Sequence, residues 1–137
     1  MYGMRLSAMP LLVLALLALG GCKRADTPVN AYTTFHEQLK KGDYKKAYGA
    51  LSQATRDALT ARTQALKETS GGTVKAEPYE LLFTNSAPPS DVTEVTLVGQ
   101  EGDVATVRVL SSGQAREVRL VREPSGWKID LSDSLKP

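Results

Sequence analysis
The spacing of apolar residues changes twice along this chain, and each change marks a different kind of structure. Leu11 to Leu19 is unbroken apolar sequence, behind a charge-free stretch that starts at Leu6. From Val29 to Leu66 apolar residues recur every three or four positions, the period of a helix with one buried face. From Tyr79 onward they recur every second position, the period of a strand buried on one side. Helices first and strands afterwards predict an α+β domain rather than alternating α/β.

Polar punctuation divides the helical part. Thr27-Pro28 is a start signal: a hydroxyl that accepts from a free N–H, then a proline whose missing N–H costs nothing at the first helical position. Val29, Tyr32, Phe35, His36 and Leu39 follow at helical spacing until Gly42. Asp43 caps a second helix with Tyr44, Ala47, Tyr48 and Leu51 on one face. Ser52 caps a third, in which Ala54, Ala58, Leu59, Arg62, Ala65 and Leu66 recur and Thr60 offers a break or a second cap. Gly71-Gly72 ends it.

Tyr79, Leu81 and Phe83 alternate as an expected first strand, closed by Ala87-Pro88-Pro89-Ser90. Hairpin-linked strands follow, giving an antiparallel sheet of about four to five strands. A three-residue loop, Gln100-Glu101-Gly102, with Gly102 left-handed, sets Leu97 opposite Ala105 and Val95 opposite Val107. A two-residue loop would instead put Thr96 opposite Val107 and cross a polar face with an apolar one. The turn at Ser112-Gly113 pairs Val107 with Val118, Ala105 with Leu120 and, on the other face, Arg108 with Glu117. Pro124-Ser125-Gly126 then returns Ile129 to Leu120, Leu131 to Val118 and Trp127 to Arg122. The expected inner row is Val95, Leu97, Val107, Val118, Leu120, Trp127, Ile129 and Leu131, and the helices must cover it.

Charge adds an exclusion. The chain carries 17 Lys and Arg against 15 Asp and Glu, a net charge of +2, which gives no electrostatic argument for nucleic acid. Cys22 is the only cysteine, so packing alone must hold the fold. Residues 1–21 have the layout of a secretory signal: Arg5, an apolar middle, then small residues at a cut after Gly21. An uncleaved membrane span is the competing reading, since the charge-free run of about 17 residues is at the lower edge of what crosses about 30 Å of hydrocarbon.

Leu19-Gly20-Gly21-Cys22 decides between them, because it resembles the bacterial lipobox: a leucine three residues before a cysteine, with small residues between. The resemblance implies cleavage before Cys22, a diacylglyceryl group on its sulfur and an acylated amino end. Two chains give stable anchoring where one is marginal, at about 0.8 kcal/mol per buried CH₂. Lys23 in the next position resembles the outer-membrane class rather than the aspartate-retained inner-membrane class. Residues 22–27 are then a lipidated cysteine and short tether, and even fully extended the five residues Lys23 to Thr27 reach less than about 18 Å. The domain covers 28–131, with 132–137 as a tail.

His36 is the only histidine. A metal site needs three or four ligands and a nucleophile needs a partner base, and the sequence shows neither beside it, so no metal or cofactor is expected. Lys40, Lys41, Lys45 and Lys46 surround the turn between the first two helices, where each would add about 1 kcal/mol of attraction near anionic headgroups. Tyr32, His36, Tyr48 and Trp127 are the candidate pocket residues, and Asp57 is a candidate carboxylate base.

Lys41-Gly42-Asp43-Tyr44, Leu51-Ser52, Thr55-Arg56 and Gly126-Trp127-Lys128-Ile129-Asp130 together resemble the small bacterial lipoproteins with a nuclear transport factor 2-like (cystatin-like, SnoaL-like) domain. That family's fold is a curved sheet wrapped around helices as a cone with a cavity at its wide end. It holds ketosteroid-isomerase-like enzymes and modules that only bind or dimerise, so the fold does not choose the function. The expected function is a noncatalytic binding or interaction module on the membrane, taking an apolar small ligand or an envelope protein partner, with a dimer left open. The alternative is an isomerase or hydratase using the cavity.

Overall fold
A computed structural model describes residues 24–83 and 89–136, and over these the chain is α+β, with four α-helices and one four-stranded antiparallel sheet. The expected leader, Gly21, Cys22 and the break at Ala87-Pro88 lie outside the described residues.

Helix α1, Pro28–Lys40, starts where the Thr27 side chain accepts the Asn30 N–H and stops before Gly42, whose φ of +74° is left-handed. Helix α2, Tyr44–Gly49, is capped by Asp43, which accepts the Lys46 N–H at 3.3 Å. Helix α3, Gln53–Thr69, is capped by Ser52, which accepts the Thr55 N–H at 3.1 Å. No break occurs at Thr60, whose hydroxyl donates back to the Arg56 carbonyl at 2.9 Å. The buried face of α3 is Thr55, Leu59 and Thr63, not the row through Ala54 and Ala65. Its side chains from Gln64 to Thr69 are exposed, because α3 packs mainly on α4 and the C-terminal turn.

Tyr79 to Phe83, expected as a strand, is instead helix α4, Pro78–Phe83. Proline at the first position suits a helix start, and the Glu80 carboxylate accepts the Glu77 N–H at 3.1 Å while Glu80 donates its own N–H to the Glu77 carbonyl at 3.0 Å. These capping bonds outweigh a period-two pattern only three residues deep.

The sheet runs β1 (Val92–Glu101), β2 (Val104–Ser111), β3 (Gln114–Glu123), β4 (Gly126–Ile129), each strand beside the next. The β2–β3 register is the expected one, with Val107 opposite Val118, Leu120 opposite Ala105 and Arg108 3.6 Å from Glu117. Its turn places both Ser112 and Gly113 at positive φ, the requirement of a type I′ hairpin. The β1–β2 register differs. Gly102 is left-handed at φ +56°, but the loop is Gly102-Asp103, Glu101 pairs with Val104, and Leu97 faces Val107 rather than Ala105. A bulge between Leu97 and Gly99 absorbs one residue, so the short loop no longer crosses a polar face with an apolar one. Leu97 is 48% exposed, and the covered row on β1 ends at Val95.

Leu131 lies past the end of β4 and packs on the core without pairing with Val118. Residues 132–137, expected as a tail, carry a 3-10 turn, Ser132–Leu135, whose Leu135 also packs on the core. At the far edge of the sheet, Ile129 donates its N–H to Ala50 at 2.9 Å and accepts from Ser52 at 2.8 Å, a single parallel bridge centred on Leu51. The core is the buried sheet face, including Val107, Val109 and Leu120, set against Tyr32 and Phe35 of α1, Ala47 of α2 and Leu51.

Candidate functional site
The main cleft lies between α1, α4 and the inner face of β3 and β4, with a volume of about 570 Å³. Phe35, Leu39, Phe83, Val118 and Leu131 give it apolar walls. Its aromatic wall is built from α1, α2 and α4: Phe35 lies 6.3 Å from Phe83, and Tyr44 stacks on Phe83 at 5.5 Å between ring centres. Volume and lining match what small-molecule sites use. Lys40, Lys41 and Arg116 supply the charge, and no carboxylate belongs to its described lining.

Tyr32 is 2% exposed, and its hydroxyl reaches the cleft, where it accepts from the Arg116 guanidinium at 2.8 Å. Arg116 was missed by the sequence reading, although the signal was present: it shares the inward parity of Val118 and Leu120 on β3. A charged residue on an inward parity is where a strand pattern points to a site rather than to a core.

The other candidates do not converge with Tyr32. His36 stacks on Tyr32, with ring centres 6.5 Å apart, but opens toward β1 in a separate depression with Val92, Glu94 and Val95. Burial holds its pKa below the ordinary histidine value, with help from the Lys40 and Arg116 charges, against the opposing pull of Asp91 and Glu37. Its Nε2 is buried without a hydrogen-bond partner. Tyr48 sits edge-on to Tyr79 at 6.5 Å. Trp127, 5% exposed, lies under the Arg122 guanidinium at 5.6 Å and beside a shallow polar depression with Arg24, Asp26 and Lys128. Asp57 is exposed on α3, accepting from Gln53 at 2.8 Å.

A second polar cluster lies just past the end of β4, between the cleft residues Ile129 and Leu131 in sequence. Asp130, with a side chain 8% exposed, accepts from Ser52 at 2.9 Å, from the Ser132 hydroxyl at 2.8 Å and from Thr55 at 3.3 Å, with Arg119 at 3.5 Å. Burial alone would raise its pKa, but the hydrogen bonds from Ser132, Ser52 and Thr55 prevail and hold it below the usual carboxylate value. Leu131 donates its N–H to Thr55 at 2.8 Å, so the cluster is satisfied from every side and is architectural.

The N-terminal stretch expected as a short tether is docked on the domain from Arg24 onward. Arg24 pairs with Glu37 at 2.9 Å, Asn30 donates to the Ala25 carbonyl at 3.0 Å, and Asp26 accepts the Trp127 N–H at 3.2 Å. No described helix is long and apolar enough to cross a membrane, and no group of three His, Cys, Asp or Glu among the described residues could hold a metal ion. Neither the protein-family models, nor the curated proteins, nor the solved structures contain a match to this chain.

Proposed function
We propose that this protein is a lipid-anchored extracytoplasmic binding module, held at the outer membrane through Cys22, whose cleft takes an apolar ligand. The observation that carries the reading is the cleft of about 570 Å³, apolar along its walls and open between α1 and α4. The nuclear transport factor 2-like relationship belongs to the same proposal, supported by the order of helices before an antiparallel meander. An isomerase or hydratase would need a carboxylate base facing the ligand. Asp57 is on the outer side of α3 and His36 opens elsewhere, so the geometry supports binding over that alternative.

Two measurements test it. Fatty-acid-analogue labelling of cells should mark the parent chain and spare a Cys22→Ala variant; equal incorporation refutes the anchor. For the cleft, a neutral apolar dye added to the full chain in phosphatidylcholine nanodiscs should show saturable binding above empty discs. A signal equal to that of empty discs refutes the binding reading.

A further inference from the structure
Arg116 occupies an inward position on β3, beside the buried Val118 and Leu120, yet it forms no ion pair among the described residues. Its side chain's one hydrogen bond among the described residues is to the Tyr32 hydroxyl at 2.8 Å. That oxygen accepts from the guanidinium, so its own proton is left to donate, and no described residue accepts it. Tyr32 is 2% exposed, and a buried tyrosine hydroxyl ordinarily finds a partner for that proton. The remaining guanidinium N–H groups are likewise free to donate. Two donors of different kinds, a phenol and a guanidinium, therefore face the same end of an apolar cleft whose described lining contains no acceptor carboxylate.

We infer that Tyr32 and Arg116 form the headgroup site for a long-chain carboxylate, with its alkyl chain lying along Phe35, Leu39, Phe83 and Leu131. This rests on the reading of the cleft as a binding site and names its ligand class. A carboxylate offers two oxygens, one for the Tyr32 O–H and one for the guanidinium, and the charge on each bond makes it shorter and stronger than a neutral one. Lys41, also in the lining, adds positive potential at the mouth, while the Lys40 charge is already engaged by Asp91 at 2.6 Å. A neutral apolar ligand would fill the cleft but leave the Tyr32 and Arg116 donors unanswered, and so bind more weakly, while a cationic amphiphile would face the like charges of Arg116 and Lys41.

The test uses the full chain in phosphatidylcholine nanodiscs, with empty discs as reference and equilibrium dialysis of decanoate, decanol, decyl phosphate and decyltrimethylammonium. Decanoate should bind about tenfold or more tightly than decanol, with decyltrimethylammonium weakest, the margin expected of charge-assisted hydrogen bonds. Arg116→Gln, at an exposed side chain, and Tyr32→Phe, which keeps the ring, should each bring decanoate down to the decanol level. Equal binding of decanoate and decanol, or an Arg116→Gln variant that keeps the preference, would overturn the headgroup site while leaving the cleft reading intact. Decyl phosphate binding tenfold more tightly than decanoate would overturn the carboxylate assignment. Failure of all four ligands would sink the binding reading itself.

Discussion
The hydroxyl of Ser52 donates to Asp130 across 2.9 Å, although 78 residues separate them in sequence. Ser52 is also the N-cap of α3 and donates its N–H to Ile129, so one residue fastens the helix start to the last strand. Ser52→Ala should cost about 2 kcal/mol, the upper end for a cap, because the buried carboxylate loses a donor as well. A urea midpoint within error of the parent would show that the cap acts alone or not at all.

Asp130 also makes stability depend on acid. Its folded-state pKa is depressed, so its contribution is complete above the unfolded value of about 3.9 and is lost as pH falls through the lower folded value. Asp130→Asn should lower stability at neutral pH and flatten the loss below about pH 4. Parallel acid curves for parent and variant would refute the assignment.

His36 acts in a different pH window. Its folded pKa is lowered, so the unfolded chain takes up the proton first, and stability falls as pH drops from about 6.5 toward the folded value. Substituting Gln removes that slope between about pH 7 and pH 5 and leaves any ligand affinity at pH 7.5 unchanged, since His36 faces β1 and not the main cleft. Unfolding midpoints measured across this range in parent and variant decide it, and a slope that persists in the variant must come from another group.

Trp127 is buried on the inner face, as the return hairpin predicts, and Trp127→Ala should cost about 3 to 5 kcal/mol. A measured loss below about 1 kcal/mol would mean that the ring can be replaced by collapse of its surroundings.

The contact of Asp26 with the Trp127 N–H is tested from both sides. Gly126 has φ +126°, and a Cβ there would lie 3.0 Å from each Asp26 carboxylate oxygen. Gly126→Ala should therefore push Asp26 away, and Asp26→Ala should speed exchange of the Trp127 amide without changing exchange in β2. Unchanged Trp127 exchange in both variants would show that the N-terminal stretch is not held there.

Much of the fold could be read in the sequence wherever a local rule acted without competition. Thr27-Pro28, Asp43 and Ser52 cap their helices as expected, and the Ser112-Gly113 turn sets its register, because capping and turn chemistry are decided within four residues. Val98 shows where this ends. A bulge shifts register by a residue, and only the sheet as a whole, pairing Leu97 with Val107, selects it. At Tyr79 to Phe83 two local signals conflicted, and the Pro78 and Glu80 start signal outweighed alternation. Of the cleft, Tyr32 was legible as a face residue of α1. Its meeting with Arg116 across 84 positions in sequence depends on how the sheet is laid against the helix.

The bridge from Leu51 to Ile129 has a consequence for self-association. The outward N–H groups of β4 are already spent, that of Ile129 on Ala50 and that of Trp127 on Asp26, while β1 has no strand beyond it among the described residues. A sheet with two free sides can add copies without limit and grow into a fibre; a sheet with one cannot. Any edge-to-edge joining of this protein through β1 therefore closes on itself as a two-fold pair and stops there, on the strand that carries the exposed Leu97 and Val98.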